Sequence, residues 1–264
     1  MTSALLARGL DWIVPTWRGP SRVHAFFTTR HGGISTGSAA AFDLGSARPM
    51  PTDDLNAIAE NHRRLRAWLP ANPVWLQQVH GVDVVEIATA PTAPPVADAV
   101  ITRTAGIVLA VRVADCLPVL LANRAGTVLA MAHAGWRGLA AGVLENTVSA
   151  MRVPGEEITA WIGPAIGAQA FEVGPDVVAA YCDHDRTAGA YFKPARAGKW
   201  MADLQGLARQ RLARAGVADV AGGSWCTLAD AARFFSYRRD PQAGRMALVA
   251  WLAPRTQDDS GASG

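Results

Sequence analysis

Residues 111–138 read VRVADCLPVLLANRAGTVLAMAHAGWRG, and two apolar runs decide how this stretch folds. The first starts slightly upstream as IVLAVRVAD (107–115) and delivers Asp115 and Cys116. The second, TVLAMAHAG (127–135), delivers His133. Runs this short and apolar, separated by the turn signal Asn123-Arg124-Ala125-Gly126, predict neighbouring buried strands joined by a hairpin. Pairing of that kind places a thiol, a carboxylate and an imidazole at one sheet margin. Such groups seldom gather in an apolar sheet merely to pack.

Outward from this stretch, Arg22–Thr29 and Leu10–Pro15 read as early strands, and Arg30 follows at a turn ending in Gly32-Gly33. A strand that ends in a glycine pair exposes backbone N–H groups, and an arginine there suits an anion. Thr52-Asp53-Asp54 caps a helix predicted to run to about Leu69, where Pro70 ends it. Val74–His80 is a strand candidate that leaves His80 at an accessible edge beside Gly81. After Gly138, Leu139–Met151 reads as one helix whose first-turn N–H groups suit an anion. Ile158–Ile162, Ser224–Leu228 and Met246–Leu252 complete the strands, and Met201–Ala215 is an amphipathic helix.

Composition narrows the function classes. Half of the 264 residues are hydrophobic and 18% are charged, as expected of a folded globular chain. The net charge of +3 is too scattered for a nucleic-acid partner, despite a pI near 9.0. No apolar window reaches membrane-spanning length. The N-terminal segment has no secretory pattern, and three cysteines are too few for a disulfide framework, so a cytoplasmic location is expected. Strands and helices mix without βαβ alternation, which favours one α+β domain with mixed sheets over residues 1–255 and a disordered tail over 256–264. GxGxxG and P-loop patterns do not occur.

His80, Cys116 and His133 therefore form the candidate constellation, with 35 and 16 residues between them. Two readings fit. The three side chains suit zinc, with three protein ligands leaving a fourth position open, the catalytic rather than structural arrangement. Alternatively Cys116 is a nucleophile and His133 its base, with Asp115 or another polar group orienting the ring. Of the other cysteines, Cys182 reads as a bystander and Cys226 as a small core residue.

The motifs TTRHGGIS, WLQQVHG, ADCLPVLL, AHAGWRG, GPAIG with FEVG, and FFSYRRD with GRMA resemble those of the YfiH-like, or laccase-domain, family from about residue 24 to 252. The resemblance implies a four-layer α/β/β/α sandwich and a Zn²⁺ site at His80, Cys116 and His133, copper being the lesser alternative. It implies phosphorolysis of adenosine, inosine, guanosine and methylthioadenosine, with adenosine deaminase activity, by a monomer or weak homodimer. On this view Arg30 and Arg137 are cations for phosphate, Phe42 or Trp136 stacks on the purine, and Asp115 is an acid/base or supports a ligand. The same family carries other assignments: a peptidoglycan-editing amidase releasing misincorporated L-serine, and a copper polyphenol oxidase. A zinc-stabilised binding protein without catalysis is a further alternative. The chain departs from the family at Asp43, where relatives often have Asn; Asp43 would either weaken anion binding or cap a turn equally well. It also has Gln169 and Ala170 where many relatives carry a cysteine pair, which removes soft copper ligands.

Overall fold

The computed structural model describes residues 1–46 and 54–255. In chain order the strands are β1 (Val23–Phe27), β2 (Pro73–Trp75), β3 (Val84–Glu86), β4 (Ala99–Thr102), β5 (Val108–Val113), β6 (Leu117–Asn123), β7 (Leu129–Ala134), β8 (Ile158–Ile162), β9 (Glu172–Val173), β10 (Phe192–Pro194), β11 (Trp200–Ala202), β12 (Asp219–Gly222) and β13 (Met246–Leu252). The helices are α1 (Thr2–Ala7), α2 (Leu55–Arg66), α3 (Trp136–Ala141), α4 (Val143–Met151), α5 (Pro175–Cys182) and α6 (Leu204–Arg214).

Two sheets stack face to face. One has the order β1-β13-β5-β2 and the other β12-β8-β6-β7-β4-β3, and both mix parallel with antiparallel pairs. Side-chain alternation sorts residues into three cores. Leu109, Val111 and Val113 of β5 meet Leu120, Leu129 and Met131 between the sheets. Val108 and Ala110 face outward instead, onto Leu5, Trp12 and Leu65 from α1, α2 and their flanks. Leu117, Val119 and Leu121 of β6 pack beneath α4 and α6, against Val143, Leu144 and Leu207. The layers are therefore helix, sheet, sheet, helix, the four-layer α+β sandwich that the resemblance implies. Strands covered on both faces read as continuous apolar runs, and each fully buried Leu or Val side chain contributes roughly 1.5–3 kcal/mol.

The central hairpin differs from its sequence reading. β7 pairs with β6, and the register sets Pro118 opposite His133. The run ending at Asp115 is β5, which belongs to the other sheet and pairs with β13 and β2. Asp115 and Cys116 thus form the corner where the chain crosses between sheets. The error arose because a doubly buried strand carries no alternation to show which sheet it joins. Similarly, the strand predicted over Val74–His80 stops at Trp75, and His80 lies on a turn with φ 63°. The single helix predicted over Leu139–Met151 starts at Trp136 and breaks at Gly142, φ 103°. Ser224–Leu228 contributes only a bridge from Cys226 to Ala165, whereas Asp219–Gly222 forms the strand β12. The α2 cap is Asp54, whose carboxylate accepts from Asn56 N and Ala57 N. The Thr52-Asp53 part of that signal and the tail at 256–264 lie outside the described residues. Among the described residues no helix is long and apolar enough to cross a membrane.

Candidate metal centre

Cys116 is placed by the corner after β5. Asp115 adopts φ 83°, a left-handed conformation that a non-glycine residue holds only when its surroundings fix it. They do so here: its carbonyl accepts from Ile166 N (3.0 Å), and its carboxylate accepts from Thr227 Oγ1 (2.5 Å), Ser236 Oγ (3.0 Å) and Arg238 N (2.7 Å). Asp115 therefore ties the corner to the 227–238 segment, and both of its carboxylate oxygens are engaged in doing so.

His133 sits in β7, only 3% exposed. Its Nδ1 lies 2.7 Å from Asp98 Oδ1, which leaves Nε2 as the nitrogen available to a metal or thiol. Asp98 has a second role. Its oxygens also accept from Val79 N (3.1 Å), His80 N (3.0 Å) and Gly81 N (2.6 Å). One buried carboxylate thus orients the His133 ring and fixes the left-handed turn that presents His80. The outcome is compact: one ligand atom from each of His80, Cys116 and His133 lies within 4.8 Å of the others. Cys116 Sγ is 3.8 Å from His80 Nε2, and the two imidazoles meet edge to face at 4.9 Å.

The glycines of GWRG explain how the groups approach so closely. A Cβ on Gly135 would stand 2.8 Å from His80 Cδ2 and 3.1 Å from Cys116 Sγ. A Cβ on Gly138 would stand 2.6 Å from the Gly81 carbonyl oxygen, so α3 can pack on the His80 turn only with glycine there.

Electrostatics pair a Cys116 thiolate with a His133 imidazolium, so that metal binding would release the His133 proton. Burial alone raises the Cys116 thiol, but His133 and His80 outweigh it and bring it down to about 6. Burial lowers His133, and the Cys116 and Asp98 charges overcome that to raise it. Asp98 is itself lowered: burial pushes it up, and the His133 and backbone N–H bonds more than reverse this. Two imidazoles and a thiolate with three protein ligands form a donor set that suits zinc and also takes copper. Among the described residues the group has these three members, and all three line a cleft.

That cleft, about 560 Å³, is lined by His80, Cys116 and His133 together with Arg112, Arg137, Arg245 and Tyr237. A smaller lobe of about 240 Å³ shares His80, Cys116, Arg137 and Tyr237 with it and is lined also by Trp136, Ile166, Phe171 and Leu204. Arg137 stacks its guanidinium 4.3 Å from the Trp136 ring centroid.

The remaining candidates from sequence fare differently. Arg137 and Trp136 reach the site. Arg30 does not line either lobe; it donates to the Ala40 and Ala231 carbonyls and lies over Phe235. Phe42 is fully buried behind the other sheet, tilted against Trp12, so its ring offers no face to a ligand. Asp43 accepts through Oδ1 from Gly45 N and Arg245 N, both at 2.8 Å, which is the turn-capping arrangement. Sequence reasoning missed Asp98, Arg112, Arg245 and Phe171. Phe171 and Arg245 lay in the FEVG and GRMA motifs without a role assigned, and Asp98 carried a physical signal: an acid opening a wholly apolar strand must be paired if buried.

Comparison with known proteins is consistent across three measures. The family model described as multi-copper polyphenol oxidoreductase laccase matches residues 24–253. A purine nucleoside phosphorylase of Pseudomonas aeruginosa is 48% identical over 242 residues, covering 91% of this chain and 98% of that protein. The purine nucleoside phosphorylase YfiH of Escherichia coli is 50% identical with the same coverage. A crystal structure of a Neisseria meningitidis protein superposes with a TM-score of 0.87 at 44% identity, covering 92% of this chain and all of that one.

Proposed function

Because the chain belongs to the YfiH-like family matched by the multi-copper polyphenol oxidoreductase laccase model, we propose that it is a zinc-dependent purine nucleoside phosphorylase that also deaminates adenosine. Its substrates on this reading are adenosine, inosine, guanosine and methylthioadenosine, with inorganic phosphate as co-substrate. The observation that carries it is the joining of one metal-ligand group to a cleft with three arginines and no carboxylate among its lining residues.

Phosphorolysis forms a bond between a phosphate oxygen and ribose C1′ while the C1′–N9 bond breaks, its electron pair leaving with the purine. The chain's own contribution is to bind and orient a dianion near a cationic rim, and to hold the nucleoside in a partly closed cleft. His80, Cys116 and His133 would hold zinc, which would supply Lewis acidity and an activated water for hydrolytic deamination at adenine C6. Asp98 keeps His133 in the tautomer that presents Nε2.

Zinc-loaded protein should convert inosine to hypoxanthine only with phosphate present, and adenosine to inosine without it, as read by chromatography. Turnover of neither nucleoside rejects the reading. Elemental analysis checks the metal; copper in stoichiometric amount with oxygen uptake on phenols favours the oxidase alternative. Among the described residues a single cluster has metal-ligand geometry, fewer than a multi-copper centre needs. One observation favours a second reading: Cys116, His133 and Asp98 line up as thiol, imidazole and carboxylate. Release of serine from a muropeptide precursor carrying L-serine, without nucleoside turnover, would support the amidase instead.

A further inference from the structure

The metal-ligand group lies where two lobes meet, with His80 and Cys116 lining both. In the larger, the Arg112 guanidinium stacks 4.0 Å from the Trp75 ring centroid while its Nε donates to the Leu44 carbonyl at 3.0 Å. Arg245 is held by the Ala243 and Gly244 carbonyls and flanks Tyr237. Both cations are thus fixed by backbone before any ligand arrives, and no Asp or Glu is among the lining residues. Such fixed guanidinium planes match a phosphate, which accepts paired N–H donors.

The smaller lobe gathers the larger apolar side chains: Trp136, Ile166, Phe171 and Leu204 line it beside Asp115, Arg137 and Arg238. Arg137 lies over Trp136 and Arg238 over Phe171 (5.3 Å), so flat aromatic and guanidinium surfaces bound the space. These are surfaces on which a purine stacks. Asp115 gives this wall its shape, since it binds Arg238 N and Ser236 Oγ and so fixes the segment bearing Tyr237 and Arg238.

We propose that one substrate pair is divided between the lobes: phosphate beside Arg112 and Arg245, the purine ring between Trp136 and Phe171, and the ribose across the His80–Cys116 rim. This rests on the phosphorylase reading for the identity of the two ligands, and it makes Asp115 a positioning residue for the wall of the purine lobe. The sharing of His80, Cys116, Arg137 and Tyr237 by both lobes places the bond to be broken beside the metal ligands.

The test measures two separate affinities in the absence of turnover. Inorganic phosphate alone and inosine alone are titrated into zinc-loaded protein by calorimetry, for wild type, Arg245→Met and Phe171→Leu, with melting temperatures confirming each fold. Loss of one charge-assisted contact should weaken phosphate tenfold or more in Arg245→Met, with inosine changed by less than about threefold. Phe171→Leu, which removes a stacking face but keeps an apolar wall, should weaken inosine roughly fivefold and leave phosphate unchanged. Arg245→Lys, which keeps charge but loses the planar fork, should fall between wild type and Arg245→Met for phosphate. A crossed pattern, equal losses for both ligands, or wild-type binding of neither overturns the division. If the split appears but no nucleoside is turned over, the lobes stand and the phosphorylase reading fails. If inosine is phosphorolysed and the split is absent, the lobes are wrong and the activity stands.

Discussion

Replacing Asp98 with asparagine removes one negative charge while preserving shape, and the structure sets what that change should do. The carboxylate serves four N–H groups: His133 Nδ1 and His80 N on Oδ1, Val79 N and Gly81 N on Oδ2. An amide can accept at only one of these two positions, because its NH₂ group would face N–H donors at the other. Two donors therefore lose their acceptor, at roughly 1–3 kcal/mol each when buried, or about 3 kcal/mol together. For a chain of this size that lowers the melting temperature by about 6–12 °C. The turn holding His80 at φ 63° is loosened or the His133 ring is freed, depending on which way the amide faces. Zinc affinity should fall 10- to 100-fold, equivalent to about 1.4–2.7 kcal/mol. Competition against a zinc-binding dye gives the affinity, and calorimetry of metal-free and metal-loaded protein gives the stability. Zinc binding within about threefold of wild type, alongside the expected melting shift, would show that Asp98 only staples the turn and does not set the ligands.

Other substitutions probe separate parts of the argument. Gly135→Ala introduces a Cβ within 3.1 Å of both His80 and Cys116, so bound zinc per chain should drop sharply while the metal-free melting temperature changes little. Unchanged stoichiometry would mean the centre tolerates more room than its geometry indicates. Phe42→Ala should cost about 3–5 kcal/mol in denaturant unfolding and leave inosine affinity intact, as a core residue behind the sheet requires. Weakened inosine binding in folded protein would restore a stacking role. Burial, and then Arg112, lower His62 below its ordinary 6.5, against the opposing bond from the Leu44 carbonyl. A depressed histidine favours folding fully above pH 6.5, and this contribution is lost as pH falls toward its folded value, because the unfolded chain takes up the proton first. Stability should therefore decline on acidification below pH 6.5, and His62→Gln should flatten that decline; His24, also lowered by burial, leaves a residual slope. An equal slope in the variant refutes the assignment. Zinc affinity should also fall as pH drops below about 9, where a proton competes for His133, and more steeply below about 6, where a second competes for the Cys116 thiolate.

The chain alone marked most of the central strands and the three residues that could hold a metal. Continuous apolar runs marked β5, β6, β7, β8 and β13, because strands covered on both faces must be apolar throughout. His80, Cys116 and His133 stood out because each interrupts or ends such a run beside a turn or glycine. Tertiary structure alone decided the rest. A doubly buried strand carries no sign of its sheet, so the crossing at Asp115 and Cys116 was invisible, and with it the reason Asp115 clamps a distant segment. Asp98 meets His133 across 35 residues of sequence and the His80 turn across 18, a coupling no local pattern encodes. Aromatic and arginine side chains are alike ambiguous in one dimension. Phe42 and Arg30 face core and backbone carbonyls, while Arg112, a few residues before Cys116, and Phe171 and Arg245, inside the FEVG and GRMA motifs, line the lobes. Periodicity reports which residues are buried; only packing of the two sheets reports which of them share a cavity.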